Sequence, residues 1–254
     1  MSQRRLDTSS TCVISPFPKY LWILILSYSM VIAISNWYDF RFIEIFRQAI
    51  SPGTLTFPFT FLLSDIITEV YGYKHARKAI WVAFVFNVIF LLFGKLVTIL
   101  PTPEFTQNTM ALNKLFFIST RVIVASFLSY LISEPLNSYI VAKLKIFFKG
   151  DFMGIRFITS TIIASALDTT CFVTIAFSGV YQISQLVVLI FNIWLFKTII
   201  EICGLPVSIR MTNFLKKKEA LDIYDYNTNF NIFKLDSEYT ISNNQFNQGD
   251  KTNV

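Results

Sequence analysis

Six long apolar runs, separated by short polar connections, dominate the amino-acid sequence. At a rise of 1.5 Å per residue, each run is long enough for a helix that crosses the roughly 30 Å hydrocarbon core of a bilayer. The pattern therefore predicts an all-α membrane protein, a bundle of six transmembrane helices. The predicted spans are residues 20–38, 55–71, 79–100, 115–141, 157–178 and 186–205.

Composition and charge support this prediction and orient the helices. Of the 254 residues, 54% are hydrophobic and only 15% are charged, which is too apolar for a soluble domain of this size. With the amino terminus inside, the predicted inside regions hold fourteen Lys and Arg residues and the outside loops hold three. This asymmetry predicts that both termini are cytoplasmic. The net charge of +6 lies in short clusters between spans, so it does not indicate nucleic-acid binding.

The same pattern divides the chain into three parts. Residues 1–19 form a basic cytoplasmic leader, residues 20–209 the six-helix transmembrane domain, and residues 210–254 a polar cytoplasmic tail. Pro206 is expected to end the last span, because proline interrupts helical hydrogen bonding. The tail is rich in Asn, Asp and Thr and has no apolar period, so we expect it to be largely irregular.

A pair of acids in the second predicted span is the most unusual feature of the sequence. Asp65 and Glu69 are one helical turn apart and therefore project from one face. One acidic side chain at mid-bilayer costs about 2.5 to 3.5 kcal/mol, so the pair is expected to face the bundle interior, a cavity or a counter-ion. The alternative is that the helix lies shallow, with both acids in the headgroup region.

Seven further polar residues within the predicted spans are candidates for binding a substrate or a coupling ion. They are Asn87, Arg121, Glu134, Asp168, Asn192, Lys197 and Glu201. Arg121 is expected to neutralise one of the acids, because carboxylates without a counter-charge are very costly to bury. Lys197 and Glu201 are four residues apart, so a purely structural ion pair is their alternative. For Asn87 the alternative is a hydrogen bond to a neighbouring helix.

Several kinds of chemistry have no signature in the sequence. There is no phosphate-binding GxxxxGK[ST] loop and no HExxH motif, and His75 is the single histidine. A serine hydrolase triad would lack a credible base within the spans. The sequence therefore predicts a protein that is not an enzyme, with no catalytic residue, no cofactor and no metal site.

Three stretches together resemble the queuosine-precursor transporter family, also called the vitamin-uptake-transporter family. The first is FPFTFLLSDIITEVYGYKHARKAIW, Phe57–Trp81, and the second is IRFITSTIIASALDTTCFVTIAFSG, Ile155–Gly179. The third is KKKEALDIYDYNTNFNIF, Lys216–Phe233, which is similar to the Tyr-Asp-Tyr-Asn-Thr signature of the family's tail. One departure is Ile232, which stands where the family pattern has proline.

The resemblance implies a bacterial inner-membrane importer of 7-deazaguanine bases, the precursors of the tRNA nucleoside queuosine, for salvage into tRNA modification. Its implied partners are a nucleobase-like small molecule and the lipid bilayer. A carboxylate can accept two neighbouring N–H groups of such a base, and an aromatic ring can stack on it. The candidates for the carboxylate are Asp65, Glu69, Glu134 and Asp168.

Two other functions remain open alongside this one. The chain is also compatible with a substrate-binding membrane subunit that needs a separate energising module, with small-residue stripes as docking faces. A structural membrane protein whose charges only pair its helices is the other alternative. A homo-oligomer fits each of them, and the sequence does not choose between the nitrile and the aminomethyl form of the base.

Overall fold

The computed structural model describes residues 18–38, 43–45, 48–50, 52–103 and 120–246. Most of the predicted leader, the start of the fourth predicted span and the last eight residues lie outside the described residues.

The described part of the chain is mostly helical. Its elements, in chain order, are α1 Leu21–Tyr38, β1 Ile43–Ile45, β2 Gln48–Ile50, α2 Pro52–Thr56, α3 Pro58–Tyr71, α4 Tyr73–Ile99, α5 Thr120–Phe147, α6 Met153–Phe177, α7 Ile183–Glu219 and the 3-10 turn Ile241–Asn243. The two strands form a short antiparallel hairpin in which Ile43 pairs with Ile50. The prediction of an α-helical membrane protein is confirmed.

The outside of the bundle is apolar, and its interior holds buried charged side chains beside a hydrophobic core. Large hydrophobic side chains such as Trp22, Leu92 and Phe93 are more than 60% exposed. Within the described residues, α1, α4, α6 and α7 are long and apolar enough to cross a membrane. Because lipid solvates apolar side chains and not charges, this arrangement is that of a multi-pass membrane protein.

Helix α3 lies at the centre of the bundle. All but two of its 14 residues are buried, and it packs against α1, α4, α5 and α7. Pro58 occupies the first turn, as predicted, where the missing N–H leaves no intrahelical bond unmade. The helix ends at Gly72, whose φ of +83° is a left-handed conformation that favours glycine. Any polar residue on α3 therefore faces protein.

Helix α7 continues past Pro206 to Glu219, so the prediction that Pro206 ends the last helix is wrong. A proline removes one helical hydrogen bond, but tertiary packing can hold the flanking turns in place. Ser208, Thr212 and Leu215, which follow the proline, are all buried against the rest of the bundle. The packing of one face thus outweighs the local cost of the proline.

One end of the bundle, called here the tail end, collects the carboxyl ends of α3, α5 and α7 and the amino ends of α4 and α6. The first ten residues of the predicted tail, 210–219, are helical, whereas residues 220–246, called the tail from here on, are irregular apart from the 3-10 turn and one isolated bridge between Ile223 and Asn244. The tail is nevertheless held against the bundle. Ile223 N–H donates to the Val70 carbonyl oxygen at 3.3 Å, and Ile223, Tyr224 and Tyr239 are buried.

Candidate functional site

A cluster of ion pairs around Glu69 lies near the tail end of the bundle. The Glu69 carboxylate, on α3, is fully buried and accepts two hydrogen bonds from the Arg156 guanidinium of α6, at 2.5 and 3.0 Å. Lys216 Nζ, on α7, lies 2.7 Å from Glu69 Oε1, and Lys145 Nζ, on α5, lies 3.7 Å from the same atom. Four helices therefore meet at one carboxylate.

The tail joins this cluster through Asp222. Its carboxylate oxygen Oδ1 lies 2.7 Å from both Lys145 Nζ and Lys216 Nζ. Lys145 Nζ also donates to the carbonyl oxygens of Glu69 and Ile223, at 2.6 and 2.7 Å. We call Glu69, Lys145, Arg156, Lys216 and Asp222 the Glu69 cluster. It contains two acids and three bases, so the Glu69 charge is fully compensated.

The stretch that resembles the tail of the transporter family, Lys216–Phe233, holds the tail against the start of α4. Asp225 accepts hydrogen bonds from the Tyr73 N–H at 3.0 Å and from the Tyr239 hydroxyl at 2.6 Å. Burial raises the pKa of Asp225, although both hydrogen bonds oppose that shift. Trp81 donates from Nε1 to the Ile232 carbonyl oxygen at 2.8 Å. A main-chain carbonyl is available from any residue, so this contact does not need the proline of the family pattern.

Arg77 of α4 fixes the rest of the described tail. Its guanidinium donates to the carbonyl oxygens of Asn229 and Asn231, at 3.0 and 2.6 Å, and forms an ion pair with Asp236 at 2.7 Å. Burial alone would raise the pKa of Asp236, but Lys74 and Arg77 hold it below its ordinary value. The basic residues after α3 therefore serve as a docking surface for the tail.

A second ion pair lies deeper in the bundle. Lys197 Nζ, on α7, is 2.6 Å from Asp168 Oδ2 on α6, and both side chains are buried. Ser133 of α5 donates to the other Asp168 oxygen at 3.2 Å. The alternative pairing of Lys197 with Glu201, allowed by their spacing, is therefore wrong. Lys197 reaches across to a neighbouring helix because an acid there faces it at the same depth.

Three buried carboxylates form no ion pair within the described residues. Asp65, Glu134 and Glu201 lie on α3, α5 and α7, and they are close enough for their charges to interact. We call them the carboxylate cluster. Asp65 Oδ1 accepts a hydrogen bond from Asn137 at 2.6 Å, and Glu134 Oε1 accepts one from Thr60 at 2.7 Å. One oxygen of each of these two carboxylates, and both oxygens of Glu201, accept no hydrogen bond from the described residues.

A narrow cleft opens beside this cluster. Its lining includes Asp65 of α3, Glu201 of α7, and Phe157 and Thr161 of α6. Its remaining lining is mostly aliphatic. The enclosed part of the cleft has room for about one water molecule, so binding of a larger ligand requires the helices that line it to move apart. Ser165, one turn beyond Thr161 on α6, has a buried hydroxyl without a partner among the described residues.

Arg121 does not neutralise any of the buried acids, so that prediction is wrong. Its side chain is exposed and donates to the main-chain carbonyl oxygens of Ile175 and Ser178, at 2.5 and 2.6 Å. It lies in the first turn of α5, at the end of the bundle opposite the tail. The neutralising roles belong instead to Arg156 and Lys197.

The two asparagine candidates occupy different surroundings. Asn87 is buried, donates to the Ala83 carbonyl oxygen at 3.0 Å and accepts from Asn36 Nδ2 of α1 at 3.1 Å. It thus ties α4 to α1. Asn192 is half-buried on α7 and is not among the residues that line the cleft.

Three of the residues that shape the site are absent from the candidates predicted from the sequence. Lys145 and Arg156 belong to the basic stretch between predicted spans four and five, and Arg156 also lies in the stretch Ile155–Gly179 that resembles the transporter family, yet both side chains are buried. No local signal separates a buried base from an exposed one in such a loop. Asn137, which holds Asp65, had a usable signal, because it follows Glu134 by three residues and shares its helix face.

The arrangement has the chemistry of a binding site for a polar ligand at membrane depth. Unpaired buried carboxylates, a small cleft and one adjacent aromatic ring offer hydrogen-bond acceptors and a stacking surface. Ionisable residues inside a helical membrane bundle are typical of substrate or ion pathways. The class of protein that fold and site define is thus a multi-pass membrane transporter.

Comparison with known proteins narrows this class to one family. A family described as "Putative vitamin uptake transporter" matches residues 51–211, which is more than half of the chain. The chain belongs to this family. The matched region contains α3, the ion pair of Lys197 with Asp168 and the whole carboxylate cluster. Of the Glu69 cluster it contains Glu69, Lys145 and Arg156, whereas Lys216 and Asp222 lie beyond it.

Two curated relatives are similar to this chain. One from Bacillus subtilis (strain 168), named "Probable queuosine precursor transporter", is 26% identical over 169 residues, covering 65% of this chain and 73% of the relative. One of the same name from Haemophilus influenzae is 29% identical over 127 residues, covering 49% of this chain and 51% of the relative. The chain thus spans about half the length of the second relative. No solved structure matches the chain.

Proposed function

We propose that this protein imports 7-deazaguanine precursors of queuosine across the bacterial inner membrane, for salvage into tRNA modification. The observation that carries the proposal is a cleft in the bundle interior whose acceptor Glu201 has both carboxylate oxygens free of partners among the described residues. The named function of the two curated relatives supports the choice of substrate.

The proposed binding mode uses the pairing edge of the base and one face of its ring. A 7-deazaguanine presents neighbouring N–H donors on its pairing edge, and one carboxylate with two free oxygens accepts both of them. Glu201 is the member of the carboxylate cluster that offers such a pair of oxygens to the cleft. Phe157, the aromatic residue of the cleft lining in the described part of the chain, stacks on the ring.

The proposed topology has six spans and both termini in the cytoplasm. Helices α2 and α3 follow one another from Pro52 to Tyr71, about 30 Å at 1.5 Å per residue, and the 28 residues of α5 are longer still. These lengths support spans two and four beside the four strongly apolar helices. The basic residues gathered at the tail end support placing that end in the cytoplasm. Residues 1–19, 20–209 and 210–254 are the proposed leader, transport domain and tail.

Uptake by whole cells tests the proposal. The host makes no queuosine precursor and lacks its own importer, and it expresses the wild-type chain, Glu201→Gln or Glu238→Gln at matched membrane levels. The wild-type chain should take up a labelled 7-deazaguanine precursor, and Glu201→Gln should lower uptake at least about tenfold because one acceptor oxygen becomes a donor. Glu238 is exposed in the tail, so its variant is the matched control.

Reconstitution separates a complete carrier from a subunit. Purified chain in liposomes should take up the base without other proteins. Uptake that appears only when a membrane extract is added would support the energised-subunit alternative. No binding and no uptake by folded wild-type protein would require the assignment to be withdrawn.

A further inference from the structure

The interior of the bundle carries more acidic than basic groups at the level of the cleft. Five carboxylates on the described helices are buried: Asp65, Glu69, Glu134, Asp168 and Glu201. The bases of the Glu69 cluster compensate Glu69, and Lys197 compensates Asp168. The carboxylate cluster is left without a cation of its own among the described residues.

The two cleft-lining acids offer different numbers of free oxygens. Glu201 has two, which matches a pair of neighbouring N–H donors. Asp65 has one, Oδ2, because Asn137 occupies Oδ1 at 2.6 Å. A single fully buried oxygen does not match a second pair of donors. It matches one compact cationic group, such as a primary ammonium, which interacts as a point charge.

We infer that the cleft selects a cationic base, with Asp65 as the residue that contacts a protonated amine of the ligand. This inference rests on the proposed function, and it chooses between the two precursor forms that the sequence left open. The aminomethyl form of 7-deazaguanine carries such an amine, whereas the nitrile form is neutral. Both forms share the pairing edge assigned to Glu201, so the two carboxylates have separable roles.

The electrostatic reason is the imbalance of charge in a desolvated site. Ionised carboxylates that face one another without a counter-ion are strongly unfavourable in a low-dielectric interior. A ligand that brings a positive charge relieves this repulsion when it binds, and a neutral ligand of the same shape does not. Lys197 is paired with Asp168 at 2.6 Å and forms no ion pair with Asp65 or Glu201 within the described residues.

Competition measured on the wild-type chain tests the inference without any substitution. Uptake of labelled aminomethyl base into proteoliposomes is inhibited with unlabelled aminomethyl base, unlabelled nitrile base or guanine. The aminomethyl base should inhibit at concentrations at least about tenfold lower than the nitrile base, as expected for one charge-assisted contact. Equal inhibition by the two forms, or stronger inhibition by the nitrile, would overturn the inference and leave the proposed function intact.

Two variants then assign the residue. Asp65→Asn should bring the inhibition constants of the two forms within about twofold of each other, whereas Glu201→Gln should weaken both forms alike. Asp65→Glu, which keeps the charge, should restore part of the preference. Asp65→Asn protein that still transports and keeps the full preference would contradict the role of Asp65. If wild-type protein transports neither form, the proposed function fails and the inference fails with it.

Discussion

Arg156→Gln removes the bidentate partner of a fully buried carboxylate and is the most informative single change at the tail end. The Arg156 side chain is itself fully buried and donates both to Glu69 and to the carbonyl oxygens of Asp151 and Gly150, each at 3.0 Å. Glutamine has no charge and one amide group with which to replace these contacts. The change therefore unbalances the Glu69 cluster without altering its acids.

The expected loss can be estimated from the contacts that remain. Breaking a buried ion pair by removing one partner costs about 3 to 5 kcal/mol, because a charge is left uncompensated. Here Lys216 stays 2.7 Å from Glu69 Oε1 and Lys145 stays 3.7 Å away. We therefore expect a loss near the lower limit, about 3 kcal/mol in the free energy of unfolding.

Unfolding by SDS titration in mixed micelles measures this loss, with Lys78→Gln as the matched control. Lys78 is exposed on α4, so its variant should stay within about 0.5 kcal/mol of wild type. In a double-mutant cycle with Glu69→Gln, the two changes should couple by about 1 to 3 kcal/mol. Additive changes, or a loss below about 1 kcal/mol for Arg156→Gln, would refute the view that this pair organises the tail end.

Three further changes address the tail and the deeper ion pair. Gly72→Ala puts a Cβ at a φ of +83° and against Tyr239, so the tail should be released and cleaved faster in limited proteolysis. Basic residues of α4 hold the pKa of Asp236 below its ordinary value despite burial. Ionised Asp236 therefore stabilises the docked tail fully above its ordinary pKa, and this stabilisation is lost as the pH falls through the lowered pKa. Hydrogen exchange of the tail should accelerate in that acidic range. Lys197→Gln leaves buried Asp168 without its cation and should lower uptake at least about tenfold.

Each of these changes has a control within the chain. Gly179 has a similar φ of +80° but nothing within 4 Å of an added Cβ, so Gly179→Ala separates backbone strain from displacement of the tail. Asp236→Asn should remove the acid-induced acceleration of exchange. Burial raises the pKa of Asp225, so protonation of Asp225 at low pH stabilises the docked tail and does not explain faster exchange. Acceleration that persists in Asp236→Asn would therefore contradict the role assigned to Asp236. Arg121→Gln should leave uptake unchanged, and a loss equal to that of Lys197→Gln would contradict the pairing described here.

Much of the fold follows from the sequence because it depends on local pattern. Apolar runs of the length of a bilayer form helices wherever lipid replaces water, since each helix satisfies its own backbone hydrogen bonds. The same reasoning identified Asp65 and Glu69 as interior residues, because lipid does not tolerate them. The place of Pro58 in the first turn of its helix was predictable from backbone chemistry alone.

The partners of the interior charges were decided by the tertiary structure. Glu69 and Asp65 share a helix face, yet Glu69 meets three bases and Asp65 meets an amide, because the neighbouring helices present different side chains at the two depths. Arg121 and Arg156 are both arginines near the start of a predicted span, but only the Arg156 side chain is buried inside the bundle. An ion pair between helices depends on the rotation and depth of both helices, which no single helix encodes. The sequence by itself therefore determined which polar residues are excluded from contact with lipid. The packing of the helices decided which of these residues form ion pairs and hydrogen bonds with one another.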